Sequence, residues 1–167
     1  KPIIMKLADV LFNKTCRIME IFLISIFGLL VIDVLGQVFS RYILNTSFAF
    51  TEELARFSLI WLSILGAAYL SAKRQHLSMD FLYQKFSDKT RKKVLIFIEI
   101  CIILFALIVM VIGGFNLVYT TLHLEQLSGT LRIPLGYIYA IMPVSGMLII
   151  CFSVYHLSKI NANKITD

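Results

Sequence analysis

Six charged or amide side chains flank one short connection between two apolar segments. They are Asp33, Gln37, Arg41, Glu52, Glu53 and Arg56. The first three recur at every fourth residue, so they share one face of a helix. A charge at the centre of a membrane helix costs about 2.5 to 3.5 kcal/mol on insertion scales, so each needs a partner. We therefore predict a structural polar network that links the two helices on either side of the connection.

This network has two interpretations. An acid inside a membrane, such as Asp33 or the Glu52 and Glu53 pair, is often an ion or proton relay. However, a carboxylate beside an arginine such as Arg56 is poorly suited to load and release a cation. The sequence therefore favours a network that clamps the two helices and sets their register.

The histidines and cysteines are the remaining side chains able to hold a metal or haem. His76 and His156 fall at the same end of two predicted helices, so a haem held between two histidines is an alternative. Cys16, Cys101 and Cys151 are far apart and lack the spacing of metal ligands or of a disulfide framework. The sequence also lacks hydrolase, zinc-protease and phosphate-loop motifs, so we predict no enzyme, no metal site and no resident cofactor.

The elements that carry these side chains are identified by composition. Of the 167 residues, 59% are hydrophobic and 16% are charged, and the mean hydropathy is +0.85. A soluble domain of this size has too little interior to bury so many apolar side chains. Four continuous apolar runs each reach the length of about 20 residues that a membrane helix needs: 18–39, 54–72, 94–122 and 134–157. We predict an all-α integral membrane protein with one membrane domain over residues 1–167.

Lysine and arginine predict the orientation of these spans. Thirteen of the 16 lie in the N-terminal flank, the middle connection or the C-terminal tail, and the other three are Arg41, Arg56 and Arg132. Positive residues accumulate on the cytoplasmic side, so both termini are predicted to be cytoplasmic. The net charge of +6 favours anionic lipid over nucleic acid, because the basic residues lie between apolar runs.

The middle connection contains a short amphipathic pattern. Met79, Leu82, Tyr83 and Phe86 fall at helical spacing and a basic run follows at 89–93. This predicts an interfacial helix over residues 79–86 that lies on the cytoplasmic surface of the bilayer. A plain basic loop is the alternative.

The second span carries small residues at regular spacing. Ser63, Ala67 and Ser71 recur every four residues, beside Gly66, and small residues let another helix approach closely. The face is a contact surface, either within this chain or for a partner protein. Trp61 is predicted to be a packing anchor whose indole N–H finds a hydrogen-bond acceptor.

Two blocks of sequence resemble a family of transport proteins. The blocks comprise Arg41, Tyr42, residues 51–57 (T-E-E-L-A-R-F), Trp61, residues 65–68 (L-G-A-A), His76 and Asp80, then residues 132–137 (R-I-P-L-G-Y) and 142–144 (M-P-V). The chain resembles the small permease subunit of tripartite ATP-independent periplasmic (TRAP) transporters, the DctQ-like family. It departs from the family at Phe50, where the family often has tryptophan.

The resemblance implies an accessory scaffold subunit in a bacterial inner membrane. Its partners would be a large multi-span permease, which carries the substrate and sodium sites, and a periplasmic binding protein. The transporter would import an organic carboxylate anion such as a dicarboxylate or sialic acid. Two other hypotheses remain: a haem-bearing anchor of a redox complex that uses His76 and His156, and a self-sufficient homo-oligomeric transporter built around Asp33.

Overall fold

The computed structural model describes residues 2–43, 49–73 and 88–161. Side chains are described over 8–43, 49–73 and 92–160. The predicted interfacial helix at 79–86, with Met79, Leu82, Tyr83 and Phe86, lies outside the described residues, as does His76.

The described residues form helices joined by short connections. The helices are α1 (Pro2–Ile43), α2 (Ala49–Lys73), α3 (Asp88–Phe105), a π-helical segment (Ala106–Gly113), α4 (Gly114–His123), α5 (Leu135–Tyr139) and α6 (Ile141–Asn161). Within this part of the chain, four stretches are long and apolar enough to cross a membrane: Ala8–Ile43, Ala49–Lys73, Lys92–His123 and Leu135–Ile160. The predicted all-α membrane fold is confirmed.

Helix α1 is much longer than its apolar run. It contains 42 residues, which is about 63 Å of helix, whereas a bilayer core is about 30 Å thick. Pro2 is suited to the first helical position, and no glycine or further proline interrupts the polar stretch that follows. Hydropathy locates only the apolar part from Ile18, so the prediction missed the N-terminal third of this helix.

Helix α6 lies at the centre of the assembly. It packs against α2 on one side and against α3 and the π-helical segment on the other, while α1 packs against α2. In the most apolar part of its span, Leu135–Ile160, 44% of the residues are buried, compared with 11–17% in the other three spans. The core therefore forms around α6, and α2 and α3 flank a groove.

The approach of α6 to the π-helical segment depends on glycine. A Cβ added to Gly146 would lie 2.7 Å from the Cβ of Met110 and 3.3 Å from the carbonyl oxygen of Ala106. Ala106 is itself fully buried. Small residues at a crossing let two helix backbones come together, which is a main source of packing energy between helices in lipid.

Proline explains why the fourth span is interrupted at Ala140. Pro143 has no N–H to donate to the carbonyl of Tyr139, and its ring would clash with that carbonyl in a continuous helix. The chain therefore ends α5 at Tyr139 and starts α6 at Ile141, which places Pro143 in the first turn, where proline is tolerated.

The close helix crossing at Gly146 lets us predict the effect of adding a methyl group at this residue. Gly146→Ala should destabilise the protein by about 1 to 3 kcal/mol, because the Cβ of Met110 is too close to its backbone to move aside. The measurement is the melting temperature of the detergent-solubilised protein. The control is Gly28→Ala, because no atom lies within 4 Å of a Cβ at Gly28. Equal melting temperatures for the two variants would contradict the close crossing.

Candidate functional site

The Glu53 carboxylate, near the start of α2, binds the loop that connects α4 to α5. Its Oε1 accepts a hydrogen bond from the N–H of Gly129 at 3.0 Å, and its Oε2 accepts from Thr130 and Leu131, each at 2.9 Å. Three successive N–H groups directed at one anion form a nest. Hydrogen bonds to a charged acceptor are shorter and stronger than those between neutral groups, and three of them join Glu53 to this loop.

The loop is shaped to present those N–H groups. The N–H of Ser128 donates to the carbonyl of Ile133, and that of Leu135 to Gln126, each at 2.9 Å, so two backbone bonds close the loop. Arg132 adopts the left-handed conformation with φ of 52°, which reverses the chain between them. Residues 129–131 at the tip then face Glu53.

Four of the remaining residues of the predicted network bond within their own helices. Asp33 Oδ2 accepts a hydrogen bond from Gln37 Nε2 at 3.0 Å, and Arg56 lies 3.3 Å from Glu52. Arg56 and Glu52 are 68% and 69% exposed, so that ion pair contributes about 1 kcal/mol at most. Among the described side chains, Asp33 and Arg56 form no ion pair. The observed bonds thus differ from the predicted network between helices, because partners four residues apart on one helix are already adjacent.

Residues of that predicted network do share a cavity. It measures about 400 Å³ and lies between the end of α1 and the start of α2, where Gln37, Arg41 and Glu52 contribute to its lining. The structure therefore brings these three side chains around one space, and among the described side chains no bond joins them across it.

Trp61 connects α2 to the fourth span. Its indole Nε1 donates to the carbonyl oxygen of Ile138 at 3.1 Å, and its ring lies 6.2 Å from that of Phe22. The carbonyl of Ile138 is the acceptor that the sequence required for a tryptophan placed well inside a span.

The small residues of α2 line an open apolar groove. Ser63, Ala67 and Ser71 form one wall of a space of about 630 Å³, and the other side includes Phe105 and Met142. Gly66 has no atom within 4 Å of the position a Cβ would take. This face of α2 is not filled by the described part of the chain, so the groove is available to lipid or to a partner.

A second polar cluster lies at the opposite end of the helices, and we call it the helix-end cluster. The Tyr155 hydroxyl donates to the Asp9 carboxylate, and Lys159 Nζ lies 3.2 Å from Asp9 Oδ1. His156 Nε2 lies 3.0 Å from the carbonyl oxygen of Ala72. A carbonyl can only accept, so this nitrogen carries the proton. The cluster thus joins α1, α2 and α6.

Sequence reasoning missed this cluster. Asp9 lies 146 residues from Tyr155, so its partner could not be inferred from spacing. One local signal existed: Tyr155 and Lys159 are four residues apart and share a helix face. Phe12 stacks on Tyr155 with 4.3 Å between the ring centroids. In the sequence, nothing distinguishes Phe12 from the many other apolar residues.

Comparison with known proteins gives the family. The profile described as "Tripartite ATP-independent periplasmic transporters, DctQ component" matches residues 30–161. This chain belongs to that family. The match includes both polar residues of α1 that bond to each other, the Glu53 loop contact and most of the helical assembly.

Individual relatives are similar over most or part of the chain. A Haemophilus influenzae protein named as a TRAP transporter small permease protein is 29% identical over 133 residues, which cover 80% of this chain and 81% of the relative. The sialic acid TRAP transporter small permease protein SiaQ of Vibrio cholerae is 25% identical over 58% of this chain and 56% of its own length. The sialic acid TRAP transporter permease protein SiaT of H. influenzae is 31% identical over 86 residues, which are 49% of this chain but only 13% of SiaT.

The chain is therefore an accessory small subunit of a TRAP transporter. The family is a class of transport components rather than of enzymes. Neither the haem-bearing anchor nor the self-sufficient transporter finds support in these relatives. His156 in addition directs its Nε2 at the Ala72 carbonyl.

The same substitution at two adjacent glutamates should have different effects on the loop. Glu53→Gln should weaken the loop contact, because an amide NH₂ replaces one of the two oxygens that accept N–H bonds. Hydrogen exchange at the amides of residues 129–131 should accelerate by about tenfold or more. Glu52→Gln is the control, since the Glu52 carboxylate pairs with the exposed Arg56 and not with the loop, and exchange at residues 129–131 should be unchanged. Similar exchange in both variants would contradict the assigned contact.

Proposed function

We propose that this subunit is a passive brace that holds the large permease of its transporter in place in the bacterial inner membrane. The permease, rather than this chain, would move an organic carboxylate and carry the coupling sodium sites. Two of the similar proteins are named as sialic acid transporters, which supports an anionic carboxylate such as sialic acid or a dicarboxylate as the transported class.

The open groove between α2 and α3 carries this proposal. Its small residues, Ser63, Ala67 and Ser71, allow another helix to approach the α2 backbone. The relative SiaT supports the permease as the partner. SiaT is named a permease protein, and the segment similar to this chain occupies only 13% of its length. We therefore infer that the groove contacts a helix of the permease.

The carboxylates of this chain support a brace rather than a pathway. Glu53 is occupied by three backbone N–H groups, and Asp33 accepts a hydrogen bond from Gln37. A transport site must bind and release its ions, and transporters place such sites at broken helices near the membrane midplane. Glu53 instead stabilises a loop at one end of the helices.

Two observations support an orientation with both termini in the cytoplasm. Asp9 and Lys159 are in contact, so the two ends of the described chain lie at the same end of the helices. Most lysines and arginines are at that end, which favours the cytoplasm. The Glu53 loop would then face the periplasm, where a substrate-binding protein could touch it. The loop is too small to provide all of a usual interface of about 800 Å² per partner, so the permease would supply the rest.

Two serines provide a matched test of the groove. Ser63→Leu should reduce co-purification of the large membrane subunit by about tenfold, because leucine fills space that the partner helix needs. Ser25→Leu on α1 is the control. Both serines are exposed and both donate to the carbonyl four residues earlier, at 2.7 Å for Ser63 and 2.8 Å for Ser25. Equal co-purification for the two variants, at equal melting temperature of this chain, would contradict the proposed docking face.

Reconstitution into liposomes tests whether this chain transports the substrate by itself. Proteoliposomes that contain this chain alone should show no uptake of a labelled carboxylate in a sodium gradient, whereas those that also contain the permease and binding protein should. Uptake by this chain alone would overturn the brace and support a self-sufficient transporter.

A further inference from the structure

The helix-end cluster encloses a cavity of about 450 Å³ between α1, α2 and α6. Its lining combines charged, amide and ring side chains: Asp9, Phe12, Asn13, Ala72, Lys73, Tyr155, His156 and Lys159. The groove between α2 and α3 is apolar along most of its walls, so this cavity differs from it in chemistry as well as in position.

The charges around the cavity do not cancel. Asp9 is the acid in its lining, and it is engaged by Lys159 and by the Tyr155 hydroxyl. Lys73 is left as the second cation, and among the described residues it forms no ion pair. Its Nζ lies 5.6 Å from the ring centroid of Tyr69, a contact that does not neutralise its positive charge. The lining therefore has one excess positive charge and suits an anion.

The position of the cavity identifies the kind of anion. Lys73 is the last residue of α2, and Lys159 stands in the last turn of α6, so both cations lie where these spans reach the membrane surface. Phospholipid phosphates occupy that level, and basic pockets between membrane helices bind acidic headgroups. Phe12 and Ala72 add apolar surface beside the charges, which suits the glycerol and upper acyl carbons of a lipid better than a free ion.

We propose that this cavity binds the headgroup phosphate of an anionic phospholipid. Lys73 pairs with the phosphate, and the amide of Asn13 donates a hydrogen bond to it. Lys159, held by Asp9, adds positive potential from the other wall. The bound lipid joins the ends of α1, α2 and α6, and this site is independent of the proposed contact with the permease.

The test uses native mass spectrometry on the full chain together with any membrane subunit that co-purifies with it. The probes are phosphatidylglycerol and phosphatidylcholine with identical acyl chains, and glycerol phosphate as a soluble phosphate source. Two variants change the cavity charge with little change in volume, Lys73→Gln and Asn13→Asp. Lys93→Gln is the matched control, because Lys93 is also exposed and lies near the start of α3, outside the cavity lining.

Phosphatidylglycerol should bind at least about fivefold more tightly than phosphatidylcholine. Lys73→Gln and Asn13→Asp should each weaken phosphatidylglycerol binding by about fivefold, which is the contribution of one lysine near an anionic surface, and Lys93→Gln should not. Equal lipid binding by the wild type and both cavity variants would overturn the site. Binding of glycerol phosphate as tight as that of phosphatidylglycerol would also overturn it, because the ligand would then be soluble phosphate.

Discussion

The contact between the Glu53 carboxylate and three backbone N–H groups joins the start of α2 to the loop that leads into the fourth span. A loop at the membrane boundary must satisfy its N–H groups, and an acid there must be neutralised or hydrogen bonded. The carboxylate gives the three N–H groups an acceptor, and the N–H groups give the carboxylate its hydrogen bonds. Because Glu53 stands near the start of α2 and the loop leads into α5, the contact fixes the loop to the beginning of α2. The hydrogen bond from the Trp61 indole to the carbonyl of Ile138 also joins α2 to the fourth span.

The opposite end of the helices is closed by different chemistry. Asp9, Tyr155 and Lys159 bond α1 to α6, and His156 bonds α6 to α2. Polar contacts join the fourth span to its neighbours at both ends, and the Gly146 crossing packs α6 closely in the middle. A closely packed unit with an open lateral groove fits the proposed brace, since a moving permease requires a part that stays still.

Sequence reasoning succeeded where the physical signal was local or repetitive. Continuous apolar runs identified the four spans, because lipid requires length and composition rather than particular residues. The family blocks around Glu52, Glu53 and Arg56 identified the transporter class. Reasoning failed for Glu53 itself, which was assigned to a network between helices. Its partners are backbone N–H groups of residues 129–131. Almost every residue type has such a group, so the sequence does not show which ones bind Glu53. Asp9 escaped notice for a related reason, because its partners are remote in sequence.

The amino-acid sequence by itself determined that this is an all-helical membrane protein and which transporter family it belongs to. Both properties depend on hydrophobicity and on short motifs. Only the tertiary structure decided which polar groups meet, that α6 is central and that the small residues of α2 face an open groove. Helices in lipid have no hydrophobic force between them, so their arrangement depends on close packing and on hydrogen bonds between distant residues. Such contacts are created by the fold, and no periodicity in the chain encodes them.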